Sequence, residues 1–152
     1  MNSQNGAVTL REITADNVRA VCDLQLAPGQ EPYVAPNAVS IAEAHYEPNV
    51  WLRAIYADDE PVGLVLLDLD ADHQHYHLVR LMVTAGRQRS GIGSRAVELV
   101  AAHVREQPGA TELLTSYVPG PQAPSGFYER LGFDDTGRIE EGERVLSLRL
   151  RI

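Results

Sequence analysis

Apolar and polar residues follow two periods along this chain, and each period predicts one kind of secondary structure. Segments in which apolar residues alternate with polar ones, or form a short continuous run, predict β-strands, and apolar residues spaced four apart predict helices. The longest helical pattern runs from Gly91 to about Gln107 and stops before Pro108. The strand pattern occurs in seven segments, namely residues 7–13, 51–57, 61–69, 76–84, 112–118, 133–138 and 144–150.

Capping residues indicate three shorter helices. Thr14 or Asp16 can cap a helix just after the first strand. The run Ser40-Ile-Ala-Glu43 has the spacing of a capping box, which predicts that a second helix starts at Ser40. Residues 125–131 form a third short amphipathic pattern, and Gly132 marks its end.

The order of these elements predicts a mixed α/β fold. A strand, two helices, three strands, the long helix, a strand, a short helix and two strands imply a mixed sheet with helices on both faces. The strand at 76–84, the long helix and the strand at 112–118 are expected to form one parallel, right-handed βαβ crossover.

Length and composition are those of one domain. With 152 residues, 44% of them hydrophobic, the chain is expected to form a single domain over residues 1–152, with a flexible tail from Met1 to Gly6. The tail lacks the apolar run of a secretion signal, and the longest apolar stretch, Leu64 to Leu67, is too short to span a membrane. A single cysteine, Cys22, permits no internal disulfide. The expected location is the cytoplasm, with no membrane partner.

Charge is distributed unevenly along the chain. A net charge of -8 argues against nucleic acid as the main partner, because duplex binding depends on clustered Lys and Arg. Between Arg19 and Arg53 there are four acids and no Lys or Arg, whereas between Asp72 and Glu98 there are four arginines and no acid. The first segment favours a cationic partner and the second an anionic one.

The loop before the long helix has the composition of an anion site. It reads GRQRSGIGSRA over residues 86–96. Glycines at 91 and 93 allow an anion to approach the helix N-terminus, and Arg87 and Arg89 add positive charge beside it. The same letters also fit a dinucleotide-binding fingerprint, but too many residues separate the strand from Gly91, and the next strand does not end in an acid.

The runs RLMVTAGRQRSGIGSRAV and FYERLGF strongly resemble the GNAT superfamily of N-acetyltransferases, which use acetyl-CoA as co-substrate. The resemblance implies a central, largely antiparallel sheet of about seven strands. It also implies that the strand at 76–84 contacts the pantetheine arm and that the loop holds the diphosphate of the cofactor. The implied cofactor-binding residues are Leu81, Met82, Val83, Arg87, Gln88, Arg89, Ser90, Gly91, Ile92, Gly93 and Ser94.

The second run places a tyrosine at the position that the family uses beside the sulfur of the cofactor. By this resemblance Tyr128 is the catalytic residue that protonates or stabilises the departing thiolate. Many family members have Asn and Ala seven and four residues before this tyrosine, where this chain has Pro121 and Pro124. We therefore expect a proline-stiffened loop in place of an extra helical turn, in which Gln122 can substitute for the missing amide.

The acceptor is expected to be a primary amine of a small molecule. The run LQLAPGQEPYVAPNAVSIAEA is similar to the corresponding region of bacterial spermine/spermidine acetyltransferases, and its acidic balance suits a polycation. An amino acid, an antibiotic or a protein N-terminus stay open as alternatives. An ammonium must lose a proton before it attacks a thioester, and the candidate bases are Glu31, Asp68 and His77, of which Glu31 ranks first. Glu31, Tyr33 and His77 are the expected acceptor-binding residues.

Two other functions compete with catalysis. Asp68, Asp70 and Asp72 alternate, as do His73, His75 and His77, and alternating histidines can ligate Zn²⁺, although a polar hairpin turn explains them better. We expect no metal requirement. A non-catalytic sensor of acyl-CoA is the other alternative. Dimers are common in the family that the chain resembles, so a homodimer is a further expectation.

Overall fold

The computed structural model describes residues 7–30 and 34–151, which form seven strands and four helices. The strands are β1 (Val8–Arg11), β2 (Val50–Ala57), β3 (Glu60–Asp70), β4 (His75–Val83), β5 (Glu112–Tyr117), β6 (Asp134–Glu140) and β7 (Glu143–Arg149). The helices are α1 (Val18–Cys22), α2 (Asn37–Ala44), α3 (Ile92–Arg105) and α4 (Ser125–Arg130). The predicted tail, Met1 to Gly6, lies outside the described residues.

All seven strands belong to one sheet, in the order β1-β2-β3-β4-β5-β7-β6. Neighbouring strands are antiparallel except β4 and β5, which are parallel and are connected through α3. The mixed, largely antiparallel sheet and its single βαβ crossover are therefore confirmed.

Helices cover both faces of this sheet, as the element order predicts. The apolar stripe of α3 packs on one face, together with Tyr128 of α4 and Phe133 after it. On the other face, Val21 of α1 and Ile41 of α2 pack against Leu64 and its neighbours. Burying a large apolar side chain contributes roughly 1.5–3 kcal/mol, so the two faces together hold the layers in place. Among the described helices, none has both the length and the apolar character needed to cross a membrane.

The start of α2 differs from its prediction. The helix begins at Asn37, one turn before Ser40, and Pro36 occupies the N-cap position without a side-chain cap. The capping-box residues are used elsewhere: the hydroxyl of Ser40 accepts a hydrogen bond from Arg80 of β4 at 3.1 Å, and Glu43 pairs with the same guanidinium. A tertiary contact with β4 therefore takes the place of the local cap.

The cap of α1 also differs from its prediction. The N-cap residue is Asn17, not Thr14 or Asp16, and it makes no side-chain cap. The side chain of Asn17 instead joins the preceding loop, because its Oδ1 accepts from the N–H of Thr14 at 2.8 Å and its Nδ2 donates to Tyr56 at 3.0 Å.

Candidate active site

A cleft opens where β4 and β5 separate. The two strands pair only at His77 with Leu114 and at Leu78 with Thr115. Beyond this point β4 continues along β3, while β5 continues along β7. Val79 is the extra residue of a β-bulge in β4 at the point of separation. The resulting cleft has a volume of about 1110 Å³ and lies between the two halves of the sheet.

The N-terminus of α3 lies at one end of this cleft. Gly86, Arg89 and Gly91 all have positive φ angles, so the loop turns sharply into the helix. The N-cap residue is Gly91, which makes no side-chain cap, and the first turn contains no acid. A Cβ atom at Gly91 would meet nothing within 4 Å, so the approach to the backbone is open. Such a helix start carries N–H donors and a partial positive charge, which together favour an anion.

The expected cofactor-binding residues divide into two groups. Eight of them line the cleft, namely Leu81, Met82, Val83, Gln88, Arg89, Gly91, Gly93 and Ser94. The side chains of the other three are used elsewhere. Arg87 pairs with Glu60 at 3.0 Å, Ser90 donates from its hydroxyl to the carbonyl of Arg87, and Ile92 is buried in the core. These three are absent from the cleft lining, and their contact with a phosphate stays a prediction.

Two residues of the loop have structural roles that the motif did not reveal. The Nε2 of Gln88 donates to the carbonyl of Val83 at 2.8 Å and to Oε1 of Gln30 at 2.9 Å, so it joins the end of β4 to the loop between α1 and α2. At Gly93 a Cβ atom would lie 3.3 Å from the Phe127 ring, so this glycine lets α3 and α4 approach each other.

Tyr128 lies in the cleft wall, on the face of the sheet that α3 covers. Its side chain is 6% exposed and packs edge-on against Phe127 and Phe133. Burial raises the pKa of Tyr128 to about 12, and its hydroxyl is hydrogen-bonded to Thr115. Thr115 in turn donates to the carbonyl of Leu78 at 2.9 Å, in the last pair that joins β4 to β5. The phenol is therefore fixed at the point where the strands separate, and it stays protonated at neutral pH.

The segment before α4 is non-helical, as its prolines predict. The residues between β5 and α4 form a loop, and Pro124 occupies the N-cap position of α4. Gln122 lines the cleft, and its amide lies against Gly29, where an added Cβ would come within 2.6 Å of Oε1. Gln122 thus contacts the loop between α1 and α2, and its contact with a cofactor stays a prediction.

The opposite face of the sheet carries polar groups at the same place. His77 lines the cleft, and its Nε2 is 3.1 Å from the hydroxyl of Ser116, which donates to Oε1 of Glu143 at 2.9 Å. Burial lowers the pKa of His77 to about 4, so the ring is neutral at pH 7. Asp68 pairs with His77 across β3 and β4, and burial raises its pKa. Of the candidate bases, Glu31 lies outside the described residues, as does Tyr33.

The acidic wall of the cleft comes from a part of the chain that sequence reasoning did not select. Glu140, Glu141 and Glu143, at the turn between β6 and β7, all line the cleft. In the acidic segment between Arg19 and Arg53, the described acids are absent from the cleft lining, and Glu43 pairs with Arg80. The sequence did contain a signal for this turn, because a glycine within a run of acids between two strands is typical of a tight hairpin. In the structure, Glu141 and Gly142 have the positive φ angles of that turn.

The alternating histidines separate into different environments. His73 lies in the exposed turn after β3, with its Nδ1 2.9 Å from Asp70, and His75 is also exposed, whereas His77 faces the cleft. Within residues 7–30 and 34–151, no group of three or more His, Cys, Asp or Glu side chains is placed to hold a metal ion.

Comparison with known proteins identifies the class. Residues 16–133 match the acetyltransferase (GNAT) family. The chain is 24% identical to the spermine/spermidine N(1)-acetyltransferase of Bacillus subtilis (strain 168) over 92% of this chain and 97% of that protein. Its fold is similar to that of an aminoglycoside 6′-N-acetyltransferase solved with coenzyme A, with a TM-score of 0.70 and 17% identity over 95% and 98% of the two chains. It is also similar to a spermidine N-acetyltransferase chimera from Vibrio cholerae and hSSAT, with a TM-score of 0.70 and 15% identity over 94% and 95%.

Because the family match spans more than half of the chain, the chain belongs to the acetyltransferase (GNAT) family. It is an N-acetyltransferase that takes its acetyl group from acetyl-CoA. The resemblance that the two sequence runs indicate is therefore confirmed.

Proposed function

We propose that this enzyme acetylates a primary amine of a small polycation of the spermidine or spermine type. The transfer is direct, in a ternary complex of enzyme, acetyl-CoA and amine. The Bacillus subtilis relative is named for spermine and spermidine, which supports this acceptor class, although its identity to this chain is only 24%. The three glutamates that line the cleft supply the negative charge that a polycation needs.

In this proposal the cofactor follows β4 into the cleft. The N-terminus of α3 binds the diphosphate through the N–H groups around Gly91, with Arg89 beside it. Residues 81–83 offer backbone groups to the pantetheine arm. The thioester then lies near the point where β4 and β5 separate, between Tyr128 on one face of the sheet and His77 on the other.

The chemistry needs no covalent enzyme intermediate. The neutral amine attacks the thioester carbonyl, and a strand N–H near Val83 stabilises the developing oxyanion. The nitrogen loses one proton to water after its attack, the carbon–sulfur bond breaks, and the coenzyme leaves as a thiolate that takes up a proton from solvent. A thiol has a reference pKa near 8.5, so a phenol whose pKa is about 12 donates a hydrogen bond to the thiolate more readily than a complete proton. Tyr128 therefore stabilises the leaving sulfur by hydrogen bonding, for which its single O–H turns from Thr115 to the thiolate.

The acceptor occupies the cleft on the other face of the sheet. Its reacting nitrogen lies near His77, and its remaining ammonium groups extend toward the glutamates of the β6–β7 turn. Glu31 and Tyr33 stay candidate acceptor residues, since Gln30 and Val34, their neighbours in the chain, line the same cleft.

The observation that carries this proposal is a single cleft that joins an open helix N-terminus, a buried tyrosine and an acidic wall. It is tested by measuring coenzyme A thiol release from acetyl-CoA with polyamines, amino acids, aminoglycosides and a peptide N-terminus. We expect spermidine or spermine to give the highest kcat/KM. A higher kcat/KM for an amino acid or a peptide would refute the proposal that the acceptor is a polycation. No thiol release with any amine, despite acetyl-CoA binding, would favour a sensor.

A further inference from the structure

A chain of hydrogen bonds crosses three strands on the acceptor face of the cleft. His77 is on β4, Ser116 on β5 and Glu143 on β7, and these strands are consecutive in the sheet. The registers bring them together, because His77 pairs with Leu114 and Ser116 pairs with Val145, which leaves each polar side chain diagonal to the next. All three side chains line the cleft.

The chemistry of the three groups fixes where their protons lie. A carboxylate only accepts, so the hydroxyl of Ser116 donates to Glu143, as its 2.9 Å distance indicates. The hydroxyl oxygen then accepts from Nε2–H of His77. A neutral imidazole carries one N–H, which leaves the Nδ1 of His77 with a lone pair. The chain can therefore accept a proton at Nδ1 and deliver one to Glu143.

Other titratable and charged groups on β3, β4 and β6 act on His77. Asp68 on β3 is its cross-strand partner, and His75 on its own strand has its ring 5.8 Å away. Glu140 and Arg138 on β6 act on the ring with opposite signs. Within residues 7–30 and 34–151, Ser116 is the hydrogen-bond partner observed for the ring.

We propose that Ser116 and Glu143 act with His77 as a relay that removes the proton from the ammonium form of the acceptor before its attack. His77 is the group that touches the amine, and Ser116 and Glu143 are positioning and proton-accepting residues behind it. The inference rests on the proposed function, since it needs an amine acceptor in the cleft.

Each proton in the relay is accounted for. The N–H bond of the ammonium breaks as a bond to Nδ1 of His77 forms, the Nε2 proton passes to Ser116, and the former hydroxyl proton of Ser116 passes to Glu143. Glu143 then releases its proton to solvent, and His77 regains its original tautomer by exchange with water when the product leaves. No oxidant or other reactant is needed.

A weakly basic histidine suits this role. The equilibrium between ammonium and free amine depends on the amine and the bulk pH, whichever group carries the proton between them. A strongly basic residue would retain the proton at neutral pH, whereas a desolvated imidazole passes it on. The relay thus provides a path to water from a cleft that both substrates fill.

The test compares Ser116→Ala, Ser116→Thr and Glu143→Gln with two matched acceptors. One is the alkylamine that the wild-type enzyme accepts best, and the other is its analogue with fluorines beside the reacting nitrogen, which make that nitrogen neutral at about pH 7. We expect Ser116→Ala and Glu143→Gln to lower kcat for the alkylamine about 10- to 100-fold and to change kcat for the fluorinated amine less than about threefold. Ser116→Thr, which keeps the hydroxyl, should restore most of the activity.

A second serine–glutamate pair supplies the control. Ser147 donates to Glu112 on the same two strands, β7 and β5, outside the cleft lining. Ser147→Ala and Glu112→Gln should leave both acceptors unaffected. Thermal unfolding of every variant separates loss of fold from loss of the relay.

A readout that does not require turnover tests the proton arrangement itself. The ¹⁵N shifts of the His77 ring at pH 7 should show a protonated Nε2 and an unprotonated Nδ1, and Ser116→Ala should shift this balance. A protonated Nδ1 in the wild-type protein would overturn the relay.

The kinetic outcomes separate the relay from the proposed function. Equal losses with both acceptors, or no loss with either, would overturn the relay while leaving an active acetyltransferase. Selective loss in Glu31→Gln without loss in Ser116→Ala would assign the base to Glu31 and would also overturn it. A wild-type enzyme that is silent with every amine would refute the proposed function, and the relay with it.

Discussion

The two faces of the sheet differ sharply where β4 and β5 separate. On the face that α3 covers, Thr115 holds the phenol of Tyr128 among aromatic rings. On the other face, the next residue of the same strand, Ser116, joins His77 to a carboxylate. Successive residues of a strand point to opposite faces, so one short segment of β5 serves both sides. The difference teaches how one cleft can stabilise a leaving sulfur on one face and receive a cationic nucleophile on the other.

The largest effect is expected from removing the phenol on the first face. Tyr128→Phe should lower kcat about 100-fold, because it removes the only hydrogen-bond donor proposed for the leaving sulfur, while KM for acetyl-CoA stays within about threefold. Steady-state thiol release measures both constants.

Another buried tyrosine of the sheet is the control for this variant. The hydroxyl of Tyr76 donates to the carbonyl of Pro108, outside the cleft lining. Tyr76→Phe should cost about 1 kcal/mol of stability and leave kcat unchanged. Equal kcat in Tyr128→Phe and the wild type would contradict the role of Tyr128.

Acid should act on the second face, through His77. Its folded pKa of about 4 lies below the unfolded value of 6.5, so between these values the unfolded chain binds a proton that the folded protein does not. The stability contribution is complete above pH 6.5 and is lost as pH falls toward 4. Relative to His77→Gln, the free energy of unfolding of the wild type should fall by roughly 2–3 kcal/mol between pH 7 and about pH 4.5.

Urea unfolding at the two pH values measures this difference, and His45→Gln, at an exposed histidine after α2, is the control. If the free energies of unfolding of the wild type and His77→Gln differed by the same amount at both pH values, the ring would be solvated in the folded protein. Tyr128 does not titrate in this range, so the same acid titration should leave its face unchanged.

A smaller effect is expected at the cofactor end of the cleft. Gly91→Asp places a negative charge at the N-terminus of α3 and should weaken acetyl-CoA binding about tenfold, measured by calorimetry. Gly91→Asn is the matched control, because Asn and Asp are strained to a similar degree at the positive φ angle of 88° and Asn carries no charge. Equal affinities for the two variants would place the diphosphate away from this helix.

The proposed cofactor end of the cleft could be predicted from the sequence because its parts are contiguous. The loop, the glycines and the start of α3 lie within about a dozen residues, and helix geometry converts that order directly into a site. The sequence motif did not predict that Gln88 joins β4 to Gln30 or that Ile92 faces the core. Those details depend on packing against residues far away in the chain.

The proposed acceptor wall of the cleft was not predictable in the same way. Ser116 and Glu143 meet only because β5 pairs with β7 in one register, and a shift by one residue would turn each side chain to the other face. The acidic segment around Glu43 carried the obvious charge in the sequence, yet Glu43 pairs with Arg80. The charge that lines the cleft comes instead from a hairpin turn near the end of the chain.

The smallest effect is expected from the charges of that turn. Glu140→Gln with Glu141→Gln should raise KM for spermidine about threefold at low salt and leave kcat unchanged, because each exposed charge contributes only a fraction of 1 kcal/mol through water. At about 0.5 M salt the difference should disappear, since screening is strong at that ionic strength. A monoamine of similar length should show no difference at either salt concentration, because it has no second ammonium to reach the turn. Glu106→Gln, at the opposite end of α3 from the cleft, controls for net charge. An unchanged KM for spermidine at low salt would mean that the acceptor does not extend toward β6 and β7. The acidic lining of the cleft would then no longer support a polycationic acceptor.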